Sequence, residues 1–355
     1  MIRPAAARIL AVVGVCALLA ACGGAAEAPA SQYTYEVAGE TMGTTYTVRV
    51  DSESRPFLDG ELGARVQEVL DRINARMSTY VDESEVSVLN AAEPDATVTL
   101  SDDTYFVLQS AVFLSESSSG AFDPTVGALV NAWGFGPVNA STAPSAYELE
   151  TLAAHTGIDK LEMDNDALSV RKLDPQTRVD LSAIAKGYAA DKVGDFLEES
   201  GLTRYMVEVG GEVLVGEPKR DGTAWNIGIE TPDVGAAHLQ RLVALRDRAM
   251  ATSGNYRNFY VMDGRTVGHT IDPRDGQPVD HNGASVSVIH ESCMMADGMA
   301  TVLMVMGPDE GFAWAEANDV AAMFVVHDGE GFVERLTTAF TEITSVQTQM
   351  DGGGA

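Results

Sequence analysis

The chain has 355 residues, 45% apolar and 21% charged, with 23 Lys plus Arg against 52 Asp plus Glu and three cysteines. That length and apolar share supply a large core and exclude a chain disordered by composition. A net charge of −29 argues against nucleic-acid binding, because nothing offsets repulsion from phosphates.

In chain order the first feature is a leader. Arg3 and Arg8 precede an apolar run, Ile9 to Ala21, too short to span a bilayer as a helix, so residues 1–21 read as a signal peptide. Its end, Leu19-Ala20-Ala21-Cys22, resembles the bacterial lipobox, which implies cleavage before Cys22 and acylation of that cysteine. The plainer alternative is an ordinary secretory signal with an incidental cysteine, since small residues here suit either peptidase. Cleavage leaves 334 residues with 21 basic against 52 acidic side chains, a net −31, and Cys293 as the only thiol besides the acylated one. No internal disulfide can then form. So acidic a chain is repelled by anionic lipid, and its attachment to a membrane rests on the acyl chains. Residues 22–35, rich in Ala, Gly and Pro, read as a flexible tether.

Residues 36–345 read as one domain and 346–355 as a disordered tail. Thr45 to Val50 alternates as a strand; Leu62, Val66, Val69, Leu70, Ile73 and Met77 then recur at three- and four-residue steps as a core-facing helix. Ser101 reads as the cap of a second helix through about Ser117, and Ser182 as the cap of a third ending near Gly201. Strands follow at Tyr205–Val209, Val213–Val215, Trp225–Ile229 and Leu242–Leu245, punctuated by Gly210-Gly211 and Asp221-Gly222. Ala284–Ile289 reads as a strand, Met294 to Met306 as a helix, and Val320–Val326 as the closing strand. Strands in series with unevenly placed helices predict an α+β fold.

Several chemistries lack local support. There is no G-x-G-x-x-G after a strand, hence no Rossmann fingerprint, and no P-loop, G-x-S-x-G elbow or H-E-x-x-H spacing. Cys293, beside Met294 and Met295, reads as a small buried hydrophobe rather than a nucleophile.

Polar and glycine-rich clusters remain: Thr41-Met42-Gly43-Thr44-Thr45-Tyr46, opening the first strand; Met77-Ser78-Thr79-Tyr80 with Ser84-Glu85; and Gly120-Ala121-Phe122-Asp123-Pro124-Thr125-Val126-Gly127. Asp180 to Asp191 (Asp-Leu-Ser-Ala-Ile-Ala-Lys-Gly-Tyr-Ala-Ala-Asp), Ala251 to Tyr256, His269-Thr270-Ile271-Asp272-Pro273 and Ala296 to Thr301 complete the series. Each alone has a plain structural account: Phe122-Asp123-Pro124 as a turn, Asp272-Pro273 with Asp275-Gly276 as a hairpin loop. In this order, from about Glu36 to Glu334, they resemble the ApbE family of FAD:protein FMN transferases. The resemblance implies a T-fold-like arrangement of mixed, largely antiparallel sheets with packed helices. It also implies a periplasmic, membrane-anchored enzyme that cleaves FAD, attaches its FMN half to a protein threonine and releases AMP. Acceptor motifs in such systems have Asp-Gly followed by small residues and Thr, and periplasm-facing electron-transport subunits are the implied partners.

The residues carry a physical reading beside this. Cleaving a pyrophosphate calls for a divalent cation and a positive side chain. Lys186, one of five lysines, stands in the first turn of a predicted helix, where N–H groups also face anions; without its motif it reads as an exposed helix lysine. Asp297 and Thr301, four apart, share a helix face, and an oxygen pair suits Mg²⁺. The family's third ligand, a backbone carbonyl, corresponds to Ala183. Met42, Tyr80, Ala121, Phe122, Asp123, Lys186, His269 and Ile271 match family positions that contact FAD. Tyr80 could stack on a ring, Phe122 line the pocket and Asp123 accept from an adenine or ribose donor. His269 and Asp297 are candidates for taking the hydroxyl proton. Two rivals are an FAD pyrophosphatase, with water as acceptor, and a non-enzymatic periplasmic flavin-binding lipoprotein, which needs no metal at the pyrophosphate.

Overall fold

The computed structural model of the chain describes residues 33–352 except 59, 138–141, 233–238, 255–258, 263–264 and 330. The signal peptide and Cys22 lie outside the described residues.

The chain opens with an antiparallel hairpin, β1 (Tyr33–Thr41) and β2 (Thr44–Ser52), followed by α1 (Glu61–Met77) and α2 (Glu85–Ala91). A helical and loop-rich stretch contains β3 (Thr97–Thr99), α3 (Asp102–Ser117), α4 (Gly127–Ala132), α5 (Ala146–Ala153), β4 (Leu161–Asp164) and β5 (Ser169–Lys172). After α6 (Ala185–Glu199) come β6 (Tyr205–Val209), β7 (Glu212–Val215), β8 (Trp225–Glu230), β9 (Leu239–Leu245), β10 (Arg248–Gly254), β11 (Phe259–Met262) and β12 (Arg265–Gly268). The chain then forms β13 (Gly283–His290), α7 (Cys293–Ala317), β14 (Ala321–Asp328), β15 (Gly331–Leu336) and α8 (Thr338–Gly352).

Eight strands build one sheet in the order β1-β2-β6-β7-β10-β13-β14-β15, antiparallel throughout. This is the expected α+β class. One face packs on helices: Val48, Val50 and Val207 meet the apolar stripes of α1 and α6, and Val286, Val288 and Phe324 meet Ala300, Leu303 and Met304 of α7. The other face carries the β8–β9 ribbon and α8, with Trp225, Ile227, Ile229 and Phe340 around Met250 and Met323.

Local differences from the sequence reading have physical causes. β1 begins at Tyr33, inside the segment expected as tether, and α8 runs to Gly352, past the expected domain limit at 345. Thr41 to Tyr46 does open the strand read from Thr45, but that strand is β2, the second of the chain: Met42 (φ 49°) and Gly43 (φ 73°) form the turn from β1. β14 does not close the fold, since β15 and α8 follow it. Helix α7 breaks at Gly307-Pro308, just past the expected end at Met306, because Pro308 cannot continue the hydrogen-bond ladder. Ser182 is not the α6 cap: α6 starts at Ala185 behind Ile184, which offers no side-chain bond.

That missing cap is supplied from another helix. The Gly187 N–H donates to Asp297 Oδ2 (3.0 Å), so an α7 carboxylate takes one of the first-turn donors of α6. Asp191 of α6 returns the arrangement, accepting from the N–H groups of Cys293 (2.8 Å) and Met294 (3.0 Å) and from Ser292 Oγ (2.8 Å) at the start of α7. The close approach needs Gly187, where a Cβ would lie 2.3 Å from the Cys293 carbonyl oxygen and 2.8 Å from Asp297 Cβ. Both obstacles are rigid. Gly187→Ala is therefore expected to cost about 1–3 kcal/mol of stability, as overpacking does, and to displace Asp297; chemical denaturation reads the first effect.

Candidate functional site

Helices α6 and α7 meet at the end of the sheet where the β1–β2 and β6–β7 turns also lie, and a cavity of about 1210 Å³ opens there. Met42, Tyr80, Ala121, Phe122, Asp123, Ala183, Lys186, His269, Ile271, Asp297 and Thr301, far apart in sequence, all line it. The structure thus gathers every residue named from the sequence as an FAD contact, metal ligand or proton acceptor.

Their surroundings differ. Asp297 is 3% exposed, and its Oδ1 lies 3.4 Å from Lys186 Nζ. Lys186 Nζ is closer still, 2.6 Å, to Glu212 Oε1. One ammonium thus bridges two carboxylates. Burial and the Glu212 charge push the Asp297 carboxyl above its ordinary range, against the Lys186 charge. The two carboxylates in turn hold the Lys186 ammonium charged, outweighing its own burial.

Thr301, one turn beyond Asp297, has its Oγ1 3.3 Å from Ser253 Oγ on β10. The Ala183 carbonyl lies four residues before Gly187, whose N–H is drawn to Asp297 rather than back along the helix. Among the described residues no three His, Cys, Asp or Glu side chains form a metal cluster. One carboxylate, one hydroxyl and one backbone carbonyl make an all-oxygen set, which fits a hard cation that keeps waters and takes phosphate oxygens. The residues present therefore fit Mg²⁺.

Tyr80, which also lines the cavity, is 66% exposed, its hydroxyl donating to the Phe135 carbonyl (3.0 Å), so a large aromatic face stands toward solvent instead of in the core. Phe122 is 3% exposed and belongs to the main core, giving the cavity a floor. Asp123 Oδ1 accepts from both the N–H (2.7 Å) and the hydroxyl (2.5 Å) of Thr125, so that oxygen is already committed to its own turn. Burial raises its pKa. Ile271 packs with Leu129 and Trp133 in a small cluster beside the cavity, and the His269 ring stands edge-on to Phe135 at 6.3 Å between centroids. Cys293 is fully buried and its thiol is pushed up by burial, as expected of an inert cysteine.

The sequence reading missed Glu212, Glu208 and the role of Asp180. Glu212, 4% exposed on β7, is the nearest partner of Lys186; the available signal was an acidic residue directly after Gly210-Gly211 in an otherwise apolar strand. Glu208 Oε1 accepts from the Gly211 N–H (2.7 Å), and Asp180 Oδ1 from the Ser182 N–H (2.8 Å), fixing the loops on either side of Lys186. Among the described residues lining the cavity, six carboxylates (Asp123, Asp180, Glu208, Glu212, Glu230, Asp297) face one lysine and no arginine.

A deep cavity with an exposed aromatic side chain and an oxygen-lined end beside a paired lysine defines a binding site for a large, partly aromatic ligand with anionic groups. Residues 42–324 match the ApbE family, to which the chain belongs. It is 40% identical over 329 residues to a protein of Vibrio cholerae named FAD:protein FMN transferase, covering 92% of this chain and 96% of that one. A Haemophilus influenzae protein of the same name is 36% identical over 317 residues, 88% of this chain and 92% of its own. The solved structure of the flavin transferase ApbE from Vibrio cholerae superposes with a TM-score of 0.81 at 38% identity, covering 88% of this chain and 99% of that one. The apo Pseudomonas stutzeri flavinyl transferase ApbE gives 0.80 at 38%, covering 88% and 97%. By family the chain is an enzyme of the transferase class.

Proposed function

We propose that the chain transfers the FMN moiety of FAD to a threonine hydroxyl of an acceptor protein, with Mg²⁺, and releases AMP. The relatives' shared name supports flavin transfer to a protein. The observation that carries the metal-dependent form is the charge at the oxygen-lined end of the cavity, where the near-buried carboxylates of Glu212 and Asp297 share one ammonium, that of Lys186. A pyrophosphate entering such a field is repelled unless a cation offsets it. Asp297, Thr301 and the Ala183 carbonyl would hold Mg²⁺, which would neutralise charge on the phosphoryl oxygens.

The chain's own groups do the rest. Tyr80 offers its ring to a planar part of FAD, and Lys186, held by Glu212, presents its remaining N–H to the pyrophosphate. The threonine oxygen attacks the FMN-side phosphorus as the bond to the AMP oxygen breaks, and the hydroxyl proton passes to the His269 imidazole as general base. Chelation is expected to stop AMP release from FAD, and added Mg²⁺ to restore it, as read by chromatography of the products. Because the Asp297 carboxyl is raised and only its ionised form binds metal, protons compete: half-saturating Mg²⁺ should climb several-fold as pH falls from about 8 to about 6. A pH-independent Mg²⁺ requirement would contradict the assignment of Asp297.

The protein is, on the same proposal, a lipoprotein on the periplasmic side of a membrane, anchored through Cys22. No helix among the described residues is long and apolar enough to cross a membrane. Cys22→Ser should release the protein from the membrane fraction or leave its precursor uncleaved; mature wild-type protein without acyl mass on its N-terminus would refute the anchor.

A further inference from the structure

The β8–β9 ribbon pairs with itself alone, so among the described residues no strand lies against β8 on the side away from β9. Asn226, Ile227, Gly228 and Ile229 nevertheless all line the cavity, in unbroken succession. Side chains of a strand alternate between two faces. Here Ile227 and Ile229 are buried against the sheet while Asn226 and Gly228 are exposed. Consecutive residues of both faces can border one cavity only if the strand turns its open edge toward it.

Resting on the function proposed above, we infer that this edge of β8 docks the acceptor polypeptide, as an extended segment carrying the threonine. A threonine hydroxyl stands only two bonds from its Cα, so the acceptor's main chain must enter the cavity for that oxygen to meet a pyrophosphate held near Lys186 and Asp297. An entering main chain loses water from its N–H and C=O groups, which is costly unless they are paired. An open strand edge pairs them, and added-strand recognition leaves specificity to pockets for alternate side chains. The cavity exceeds the roughly 300–1,000 Å³ common for one small-molecule ligand, leaving room for both substrates. On the face that Gly228 leaves without a side chain, exposed Leu242 stands across the ribbon on β9, and exposed Leu239 reaches over β8, its Cδ1 2.9 Å from where a Gly228 Cβ would stand. These two leucines offer the apolar contact that an incoming segment covers.

The test is amide hydrogen exchange on the lipid-free chain with a synthetic peptide of about twelve residues, typical of an extended segment filling a groove. The peptide carries Asp-Gly, small residues and threonine, or alanine in the threonine's position to prevent transfer. The alanine peptide, with FAD and Mg²⁺, should slow exchange across Asn226–Ile229, while FAD and Mg²⁺ alone should not. Leu242→Glu, on an exposed position outside the cavity, should raise the KM of the threonine peptide about tenfold with kcat and FAD affinity unchanged. Transfer to the peptide without protection of β8, protection by FAD alone, or an unchanged KM in Leu242→Glu would overturn the docking assignment while leaving the transferase reading intact. Absence of transfer to any threonine substrate would remove that reading and this inference with it.

Discussion

Asp297→Asn is expected to abolish FAD cleavage, lowering the rate by about three orders of magnitude or more, because one substitution removes the sole carboxylate of the proposed metal set and half of the charge that orients Lys186. Asparagine keeps the side chain's volume and an oxygen to accept the Gly187 N–H, so α6 retains its cap and the fold survives. Alanine is the poorer choice. It strips the cap as well and confuses loss of chemistry with loss of structure. Circular dichroism together with AMP release separates the two, and turnover by Asp297→Asn equal to wild type in Mg²⁺ would remove the metal site from α7.

Lys186→Ala follows in size and differs in kind. The ammonium is only partly exposed and lies 2.6 Å from Glu212 and 3.4 Å from Asp297, so its loss leaves two near-buried carboxylates facing each other. Removing one partner of a fully buried ion group costs about 3–5 kcal/mol; with the lysine side chain 28% exposed, about 2 kcal/mol is expected. FAD binding should weaken roughly ten- to a hundredfold, the worth of a charge-assisted hydrogen bond. Mg²⁺ should bind the variant more tightly than wild type, because a dication then replaces the missing charge. Lys186→Arg should recover only part of FAD binding, since a planar fork does not reproduce a compact ammonium between two carboxylates. Calorimetric titration of Mg²⁺ and fluorescence titration of FAD read these effects. Unchanged affinity for both in Lys186→Ala would reduce the lysine to a structural counter-ion.

Much of this site was legible in the sequence because its motifs resemble those of a known family, and a smaller part because the geometry is local. Asp297 and Thr301 share a helix face by spacing alone. What was not legible depends on contacts between distant segments. Ser182 has the chemistry of a cap, yet the α6 donor at Gly187 is satisfied by Asp297, 110 residues on, and no local pattern announces that. Glu212 shows in the sequence only as an acidic residue in an apolar strand, since its importance lies in Lys186, 26 residues earlier in the chain. β1 was hidden by composition, since Tyr33 adjoins an Ala- and Pro-rich run and pairs with β2 only through a turn that holds Met42 at positive φ. The short strands β3 to β5, β11 and β12, and the Gly- and Ser-ending β10, take their structure from pairing partners more than from intrinsic preference.

Incubating the lipid-free chain with FAD, Mg²⁺ and a protein carrying the Asp-Gly, small-residue, Thr motif, and weighing that protein intact, bears most directly on what the cavity does. The acceptor should gain the mass of FMN less one water, mapped to its threonine, with one AMP released per acceptor modified. Free FMN and AMP beside an acceptor of unchanged mass would make the enzyme an FAD pyrophosphatase and contradict transfer.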